Sequence, residues 1–434
     1  MTRPLPKGVL CLSCYSLLLL AADLVLPLRV PEILRALGAR HFSWSRFIGW
    51  IAQTPGSAPL SYFAQLPFLL IWPYGRLAAR FPSLIFAIAA SILLFYLFKE
   101  IPIKRGYLAV AAFTLLPFHF QAATSARGFE QALFLTVLQT LIFFHLIRTP
   151  TLKPSVLYGI VLTLCLYTEP YSFLPAIGQF LFLLRFIGRA HERRAVWFAL
   201  PATAVPPFVF LPYYLWARSQ TSSNWISVHA TQARDLGVYG LAVLLIAGFL
   251  VAVWTTFRVM DRNPSKRIFL FCASGGVVST IATGQMLWAA PGLILAFFAA
   301  LEWFSTNRVQ RTVGSGLAIL LMVCSIPSIA EYLVSHRDDL QKETTAISQR
   351  LTADSCVVFL SEGLSKELFA PFQPQLDRYE CLNFFHRRVI LAIHPYVNLK
   401  WRTDADSYFR AVNFHEVERL RVGEGEVVVL EQSK

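Results

Sequence analysis

Charge is scarce in these 434 residues, and negative charge is scarcest. Only 15% of the chain is Asp, Glu, Lys or Arg, against 56% apolar residues, which excludes a disordered or strongly solvated chain. The first 333 positions hold ten carboxylates: Asp23, Glu32, Glu100, Glu130, Glu169, Glu192, Asp235, Asp261, Glu302 and Glu331. Cysteine is also sparse. Five of the seven lie in or beside apolar runs, where they act as small fillers rather than a disulfide framework. No His/Cys pair has zinc-site spacing, no glycine-rich loop suits a phosphate, and no segment repeats at a fixed period, so zinc modules, nucleotide-cradling loops and solenoids are excluded. The net charge of +14 raises nucleic-acid binding, but no basic stripe with interleaved aromatics accompanies it, so no nucleic-acid partner is expected.

What the chain has in quantity is long apolar runs. Mean hydropathy is +0.53, and repeated runs of about 18 residues predict an integral membrane protein in contact with the lipid bilayer. Eleven spans are expected, at about 8–28, 81–98, 106–122, 129–147, 155–168, 171–187, 195–215, 237–257, 267–284, 285–303 and 313–333. With the N-terminus in the cytoplasm, every second connection is basic: Lys99, Lys104 and Arg105, then Arg148 and Lys153, then Arg185, Arg189, Arg193 and Arg194, with two more after them. That alternation is the positive-inside pattern, and it puts Arg127 and the C-terminus on the outer face. The first run starts basic like a signal peptide, but Asp23 interrupts its end and no A-x-A-like site follows, so it is read as a retained span.

Two stretches of the outer segment 29–80 read as juxtamembrane helices rather than spans, "PEILRALGARHF" and "PLSYFAQLPFLLIWPYG". The tail 334–434 is of different material. "HRDDLQKETTAISQRL" and "DADSYFRAV" read as helices, and "SCVVFL", "RRVILAI" and "EGEVVVLEQ" as strands. The expected organisation is a transmembrane domain 1–333 and a small extracytoplasmic α/β domain 334–434. From Arg337 onward there are 13 basic and 15 acidic residues, leaving 26 basic and 10 acidic in the membrane part. The whole positive excess therefore sits in the membrane part. Cys356 and Cys381 both fall in the outer domain, where a disulfide between them and two buried thiols are alternatives.

With so few carboxylates, elimination is informative. Glu100, Glu192, Asp261 and Glu302 fall at cytoplasmic ends, leaving six on the outer side. A carboxylate at the bilayer surface is costly enough to be a functional candidate. Glu32, directly after the first span, reads either as a general base or metal ligand or as the first-turn carboxylate of a helix starting at Pro31. Glu169, in "LYTEPYSF", reads as a carboxylate at a proline corner or as a cap. Arg127 offers a bidentate fork to a phosphate at the outer surface; the competing reading is interfacial snorkelling.

Four stretches occur in a particular order: "VPEIL" (30–34), "SAPLSYF" (57–63), "ARFPSLIF" (79–86) and "SARGFEQALF" (125–134). That order resembles the GT-C superfamily of integral-membrane glycosyltransferases, those that use a polyprenyl-phosphate-linked sugar, as in protein-mannosyltransferase and aminoarabinose-transferase relatives. The resemblance covers about residues 8–190 and rests on order and spacing. In the family an acidic pair follows the first span; here Pro31 stands in the first position and Glu32 in the second. The resemblance implies an all-α polytopic fold with about 11 transmembrane helices and the small α/β domain. It further implies transfer of a sugar to a glycan, lipid or protein acceptor of the cell envelope, at the outer face of a bacterial inner membrane. Glu32 would be the catalytic base, Arg127 and Arg80 would bind the donor phosphate, and Glu169 and Asp23 would assist. A divalent cation is the one cofactor the resemblance leaves room for. A non-catalytic lipid-sugar binding or assembly subunit of the same fold is the alternative.

Overall fold

The computed structural model describes residues 7–26, 59–71, 76–100, 106–173, 175–177, 179–180, 190–220, 308–335, 339–352, 354–360, 387–393, 407–422 and 425–433. The expected spans 237–257, 267–284 and 285–303, most of 171–187 and most of the segment 29–80 lie outside the described residues.

Proline and helix-end chemistry divide the first unit into its helices. These are α1 (Lys7–Val25), α2 (Pro59–Ile71), α3 (Arg76–Glu100), α4 (Gly106–Thr114), α5 (Pro117–Ala123), α6 (Phe129–Arg148), α7 (Leu152–Thr168), α8 (Ala190–Gln220) and α9 (Arg308–Ser335), with a 3-10 turn at Pro170–Phe173. Among the described residues three helices are long and apolar enough to cross a membrane, over Leu77–Leu97, Phe129–Arg148 and Arg193–Trp216. The helices differ from expectation in two places. α3 starts at Arg76, so Arg80 is on the second turn of the span instead of in the loop before it. The expected span 106–122 is two helices, because Pro117 has no N–H to continue the ladder and holds Leu116 in an extended conformation (φ −66°, ψ 130°).

The outward faces are apolar. Val156, Leu157 and Ile160 on α7, Phe208 and Leu211 on α8, and Ile319 and Val323 on α9 are all exposed, the surface a hydrocarbon environment requires and water penalises. The chain is an integral membrane protein. Inside the unit, a cluster around Leu94, Phe113, Leu133, Phe143, Tyr158 and Leu162 is fully buried. Gln139, Thr140, Tyr158 and Gln179 interlink there through side-chain hydrogen bonds, including Gln139 Nε2 to the Tyr158 hydroxyl at 3.0 Å and Gln179 Nε2 to Thr140 Oγ1 at 3.1 Å. Such pairs satisfy polar groups that lipid cannot.

Residues near each helix end meet one another. Ser83 of α3 reaches Ser125, Thr124 reaches Tyr332 of α9, and Tyr167 of α7 reaches Val209 of α8. At the opposite end Ser155 of α7 donates to the Phe198 carbonyl of α8 at 2.6 Å. The bundle therefore has two distinct ends.

The second unit is a small α/β assembly. It contains α10 (Asp339–Arg350) and strands β1 (Ser355–Leu360), β2 (Arg388–Ile393), β3 (Phe414–Val422) and β4 (Gly425–Gln432), in sheet order β1-β2-β4-β3. β1 and β2 are parallel, with Ser355 opposite Arg388; the other pairs are antiparallel, with a bulge in β3 at Glu416/Glu418. Cys356, Val389, Leu391, Phe409, Phe414, Val428 and Leu430 form its core. Asn413, at φ 64°, makes the turn into β3, a conformation Asn tolerates better than most residues. Arg350 grips Glu418 with two hydrogen bonds, of 2.9 and 2.7 Å.

Candidate functional site

The turn Thr124–Gly128 between α5 and α6 carries Arg127, and buried polar side chains hold it from two helices. Ser83 of α3 donates to the carbonyl of Ser125 at 2.7 Å and to that of Arg127 at 3.3 Å. Gln65 of α2 donates to the carbonyl of Ala79 at 3.2 Å and also to that of Ala126. Within the turn, the Arg127 N–H donates to Ser125 Oγ at 3.3 Å. Each such bond contributes about 1 kcal/mol, but leaving these carbonyls buried and unpaired would cost more, so the turn is strongly specified.

Glycine at 128 is a matter of space. Its φ of −72° is open to any residue, yet a Cβ there would collide with the Cβ of Ser61 on α2 and lie 3.5 Å from Cγ2 of Thr168. The ends of α2 and α7 thus close on the turn. Glu169 follows Thr168 directly as the C-cap of α7 and is 7% exposed. Its N–H donates to the Cys165 carbonyl at 2.8 Å, and its carbonyl accepts from the Ser172 hydroxyl at 2.6 Å. Arg80 is 2% exposed and stands on α3 between Ala79 and Ser83, both of which bond into this assembly. Arg127 is half-buried, with its guanidinium 5.8 Å from the Phe129 ring centroid, a cation–π arrangement.

Three of the residues singled out in the sequence, Arg80, Arg127 and Glu169, are therefore carried on segments that meet at one turn. Two arginines and the Glu169 carboxylate are thus brought to that end of the bundle. Asp23 is fully buried on the α1 face that also buries Tyr15, Leu19 and Ala22. Glu32 and Cys381 lie outside the described residues; Cys356 is disulfide-bonded. Among the described residues, which do not include Glu32, no three His, Cys, Asp or Glu side chains stand close enough to hold a metal ion.

Sequence reasoning passed over a second polar cluster. The Tyr15 hydroxyl is 2.8 Å from His119 Nδ1, and His119 Nε2 is 3.5 Å from Glu130 Oε2, all three residues being buried. The Tyr15 and Phe113 rings pack on the imidazole at centroid distances of 5.6 and 4.3 Å. Pro117 sets this up, since the break it causes starts α5 and brings His119 toward the first turn of α6. The signal was a lone histidine inside an apolar run, together with a carboxylate three residues after Arg127. Beside the turn, Tyr167, Phe210, Tyr213 and Trp216 form an aromatic wall on α7 and α8, with centroids 5.2 to 6.0 Å apart.

No protein-family model matches the chain, and no curated protein does. Solved structures do. ArnT from Cupriavidus metallidurans in the apo state aligns at a TM-score of 0.55 with 14% identity, covering 97% of both chains. The same protein bound to undecaprenyl phosphate aligns at 0.56 with 13% identity over the same shares. The archaeal oligosaccharyltransferase AglB from Archaeoglobus fulgidus, in complex with an inhibitory peptide and a dolichol-phosphate, aligns at 0.51 with 10% identity, covering 88% of this chain and 69% of that one. Both are GT-C glycosyltransferases. At these identities the likeness is one of fold: the chain has the fold of ArnT and AglB.

Proposed function

We propose that this protein is a membrane glycosyltransferase that moves a sugar from a polyprenyl-phosphate-linked donor to a cell-envelope acceptor, on the outer face of a bacterial inner membrane. The observation that carries the reading is the meeting of Arg80, Arg127 and Glu169 at the Thr124–Gly128 turn, at one end of a GT-C bundle. Neighbours of this fold bind undecaprenyl phosphate and dolichol-phosphate, and a phosphate is what two guanidinium groups beside a bilayer surface suit.

In this reading the donor lies with its phosphate at Arg127 and Arg80. The acceptor hydroxyl attacks the sugar carbon, its proton passing to the Glu32 carboxylate, while the bond from that carbon to the phosphate oxygen breaks. The negative charge that grows on the leaving phosphate is met by the two arginines. Glu169 and Asp23, two of the outer-side carboxylates, assist the base. The aromatic wall of Tyr167, Tyr213 and Trp216 suits a sugar or the isoprenoid stem.

Transfer from a radiolabelled polyprenyl-phosphate sugar by the reconstituted protein tests this. Arg127→Lys keeps the charge and loses the fork, so donor use should fall about tenfold or more with the fold intact. Glu32→Gln should lower turnover by about 100-fold or more at unchanged donor binding. Donor affinity unchanged in Arg127→Ala would return that residue to interfacial snorkelling. The non-catalytic alternative is favoured by Pro31 in place of the first acid; donor binding without transfer by the parent protein would establish it.

A further inference from the structure

The end of the bundle opposite Arg127 has a cavity of its own. It lies where α3 and α6 end and α7 begins, with a volume of about 440 Å³. Tyr96, Leu141 and Leu157 give it apolar walls, Arg148 and Lys153 supply its charge, and the His145 imidazole stands with those two. The last three are all exposed, so the charged side of the cavity opens at the protein surface. Among the described residues that line it, none is acidic.

The helix ends add to the same field. Lys153 is in the first turn of α7, and Thr151 at the N-cap makes no side-chain hydrogen bond to that turn. The first N–H groups of α7 thus point a partial positive charge toward the side of Lys153. Arg148 occupies the last turn of α6, where a cation is favourable in the absence of any ligand. A free phosphate would be served by the charges alone and gains nothing from Tyr96, Leu141 and Leu157. A molecule with an anionic head and an apolar stem uses both halves. Arg148 and Lys153 form one of the basic connections, and Arg193 and Arg194 precede the Phe198 that meets Ser155 at this end; the leaflet that faces basic loops carries the acidic lipids and the negative surface potential.

We propose that this cavity binds an anionic phospholipid of the cytoplasmic leaflet, its phosphate between Arg148 and Lys153 with His145 beside them, and one acyl chain along Leu141 and Leu157. The site is at the opposite end of the bundle from the donor site and rests on the orientation of the chain, not on sugar transfer. A protein inactive in transfer tests it equally well.

The experiment is native mass spectrometry of the full chain in mild detergent, presented with phosphatidylglycerol or phosphatidylcholine. The parent should retain phosphatidylglycerol in clear preference. Removing both charges with Arg148→Gln and Lys153→Gln together should weaken retention about 30-fold, at about one power of ten for every 1.4 kcal/mol and about 1 kcal/mol per basic residue. Leu157→Trp keeps every charge but fills the cavity, and it should lower retention as well. Excess inorganic phosphate should leave the lipid bound. Equal retention of the two lipids, retention of phosphatidylglycerol unchanged in the double variant, or displacement by inorganic phosphate would each overturn the proposal. If the double variant does not fold, Lys153→Gln alone, at an exposed position, and Leu157→Trp carry the same decision.

Discussion

Gly128→Ala adds a single methyl group to the site. The backbone there is in an ordinary region, so an alanine is not strained and its smaller unfolded-state entropy should stabilise by about 0.4–1 kcal/mol. Against that stands the collision of its Cβ with the Cβ of Ser61, which is itself buried on α2. The obstruction is a Cβ bonded to the helix backbone rather than the far end of a flexible chain, so either α2 or the turn must move. Overpacking of this kind costs about 1–3 kcal/mol, which exceeds the entropic gain, and the net effect should be destabilising by about 1–2 kcal/mol.

The decisive variant is the pair. Ser61→Gly alone should destabilise by about 0.5–1 kcal/mol, because glycine is a poor helix former, yet it removes the atom with which the added Cβ collides. Gly128→Ala combined with Ser61→Gly should therefore be more stable than Gly128→Ala alone, with a coupling of about 1–3 kcal/mol between the two changes. Thermal unfolding of the purified variants in one detergent measures it. The turn holds Arg127, so donor affinity should fall in the single variant and recover in the pair. Changes that simply add, to within about 0.5 kcal/mol, would refute the argument and assign Gly128 some purpose other than close approach.

Further outcomes follow from other parts of the molecule. Reporters fused after Lys104, Lys153, His191 and Lys266 should report cytoplasm, and those near Arg127, Ser222 and the C-terminus the outer side; an outer signal after His191 would overturn the orientation. His119→Ala should lower stability by about 2–4 kcal/mol, since it removes the hydrogen-bond partner of the buried Tyr15 hydroxyl and leaves a cavity against the Tyr15 and Phe113 rings, and a melting profile like the parent's would show that the cluster does not support the bundle. In the α/β unit, the Arg350 guanidinium hydrogen-bonded to Glu418 holds that carboxyl below its usual value of about 4.5. A depressed folded value means stability that is present above the ordinary value and is lost as pH falls through the lowered one. Glu418→Gln should accordingly flatten the acid dependence of amide exchange in β3, and a curve identical to the parent's would remove the pair from any stabilising role.

How legible all this was in the sequence depends on which physical signal each element sends. Long apolar runs broadcast helices α6, α7 and α8 because every residue contributes to the same average. The strands "SCVVFL" and "EGEVVVLEQ" were equally plain, being β-branched and flanked by polar residues, and they are β1 and β4. β3, "FHEVERLRV", sent no such signal. Its residues are mostly exposed, its charges fall on both sides of the strand, and a bulge at Glu416/Glu418 shifts the period midway. Its place comes from pairing with β4, a tertiary preference that a local reading does not contain. The break at Leu115–Leu116 was missed for a related reason. Hydropathy averages over a window, and a proline inside an apolar run leaves the average almost unchanged while removing the N–H that a continuous helix needs.

The same distinction explains why the site was half visible. Arg80, Arg127 and Glu169 stand out because a charge in an apolar chain is improbable unless something uses it, and elimination among ten carboxylates is a short exercise. What brings those residues together is Gln65, Ser83, Ser61 and Gly128, ordinary residues that any membrane helix can contain. Their importance comes from the backbone carbonyls they satisfy and the space they leave, and both exist only after the helices have packed. Tyr15, His119 and Glu130 belong to the same class: 104 residues separate the first two, and no spacing rule relates positions on helices that meet only in the folded bundle. A sequence of this kind therefore declares its charged groups and conceals their supports, and substitutions at the supports, Gly128 first among them, tell more about whether the turn is a built site than substitutions at the charges themselves.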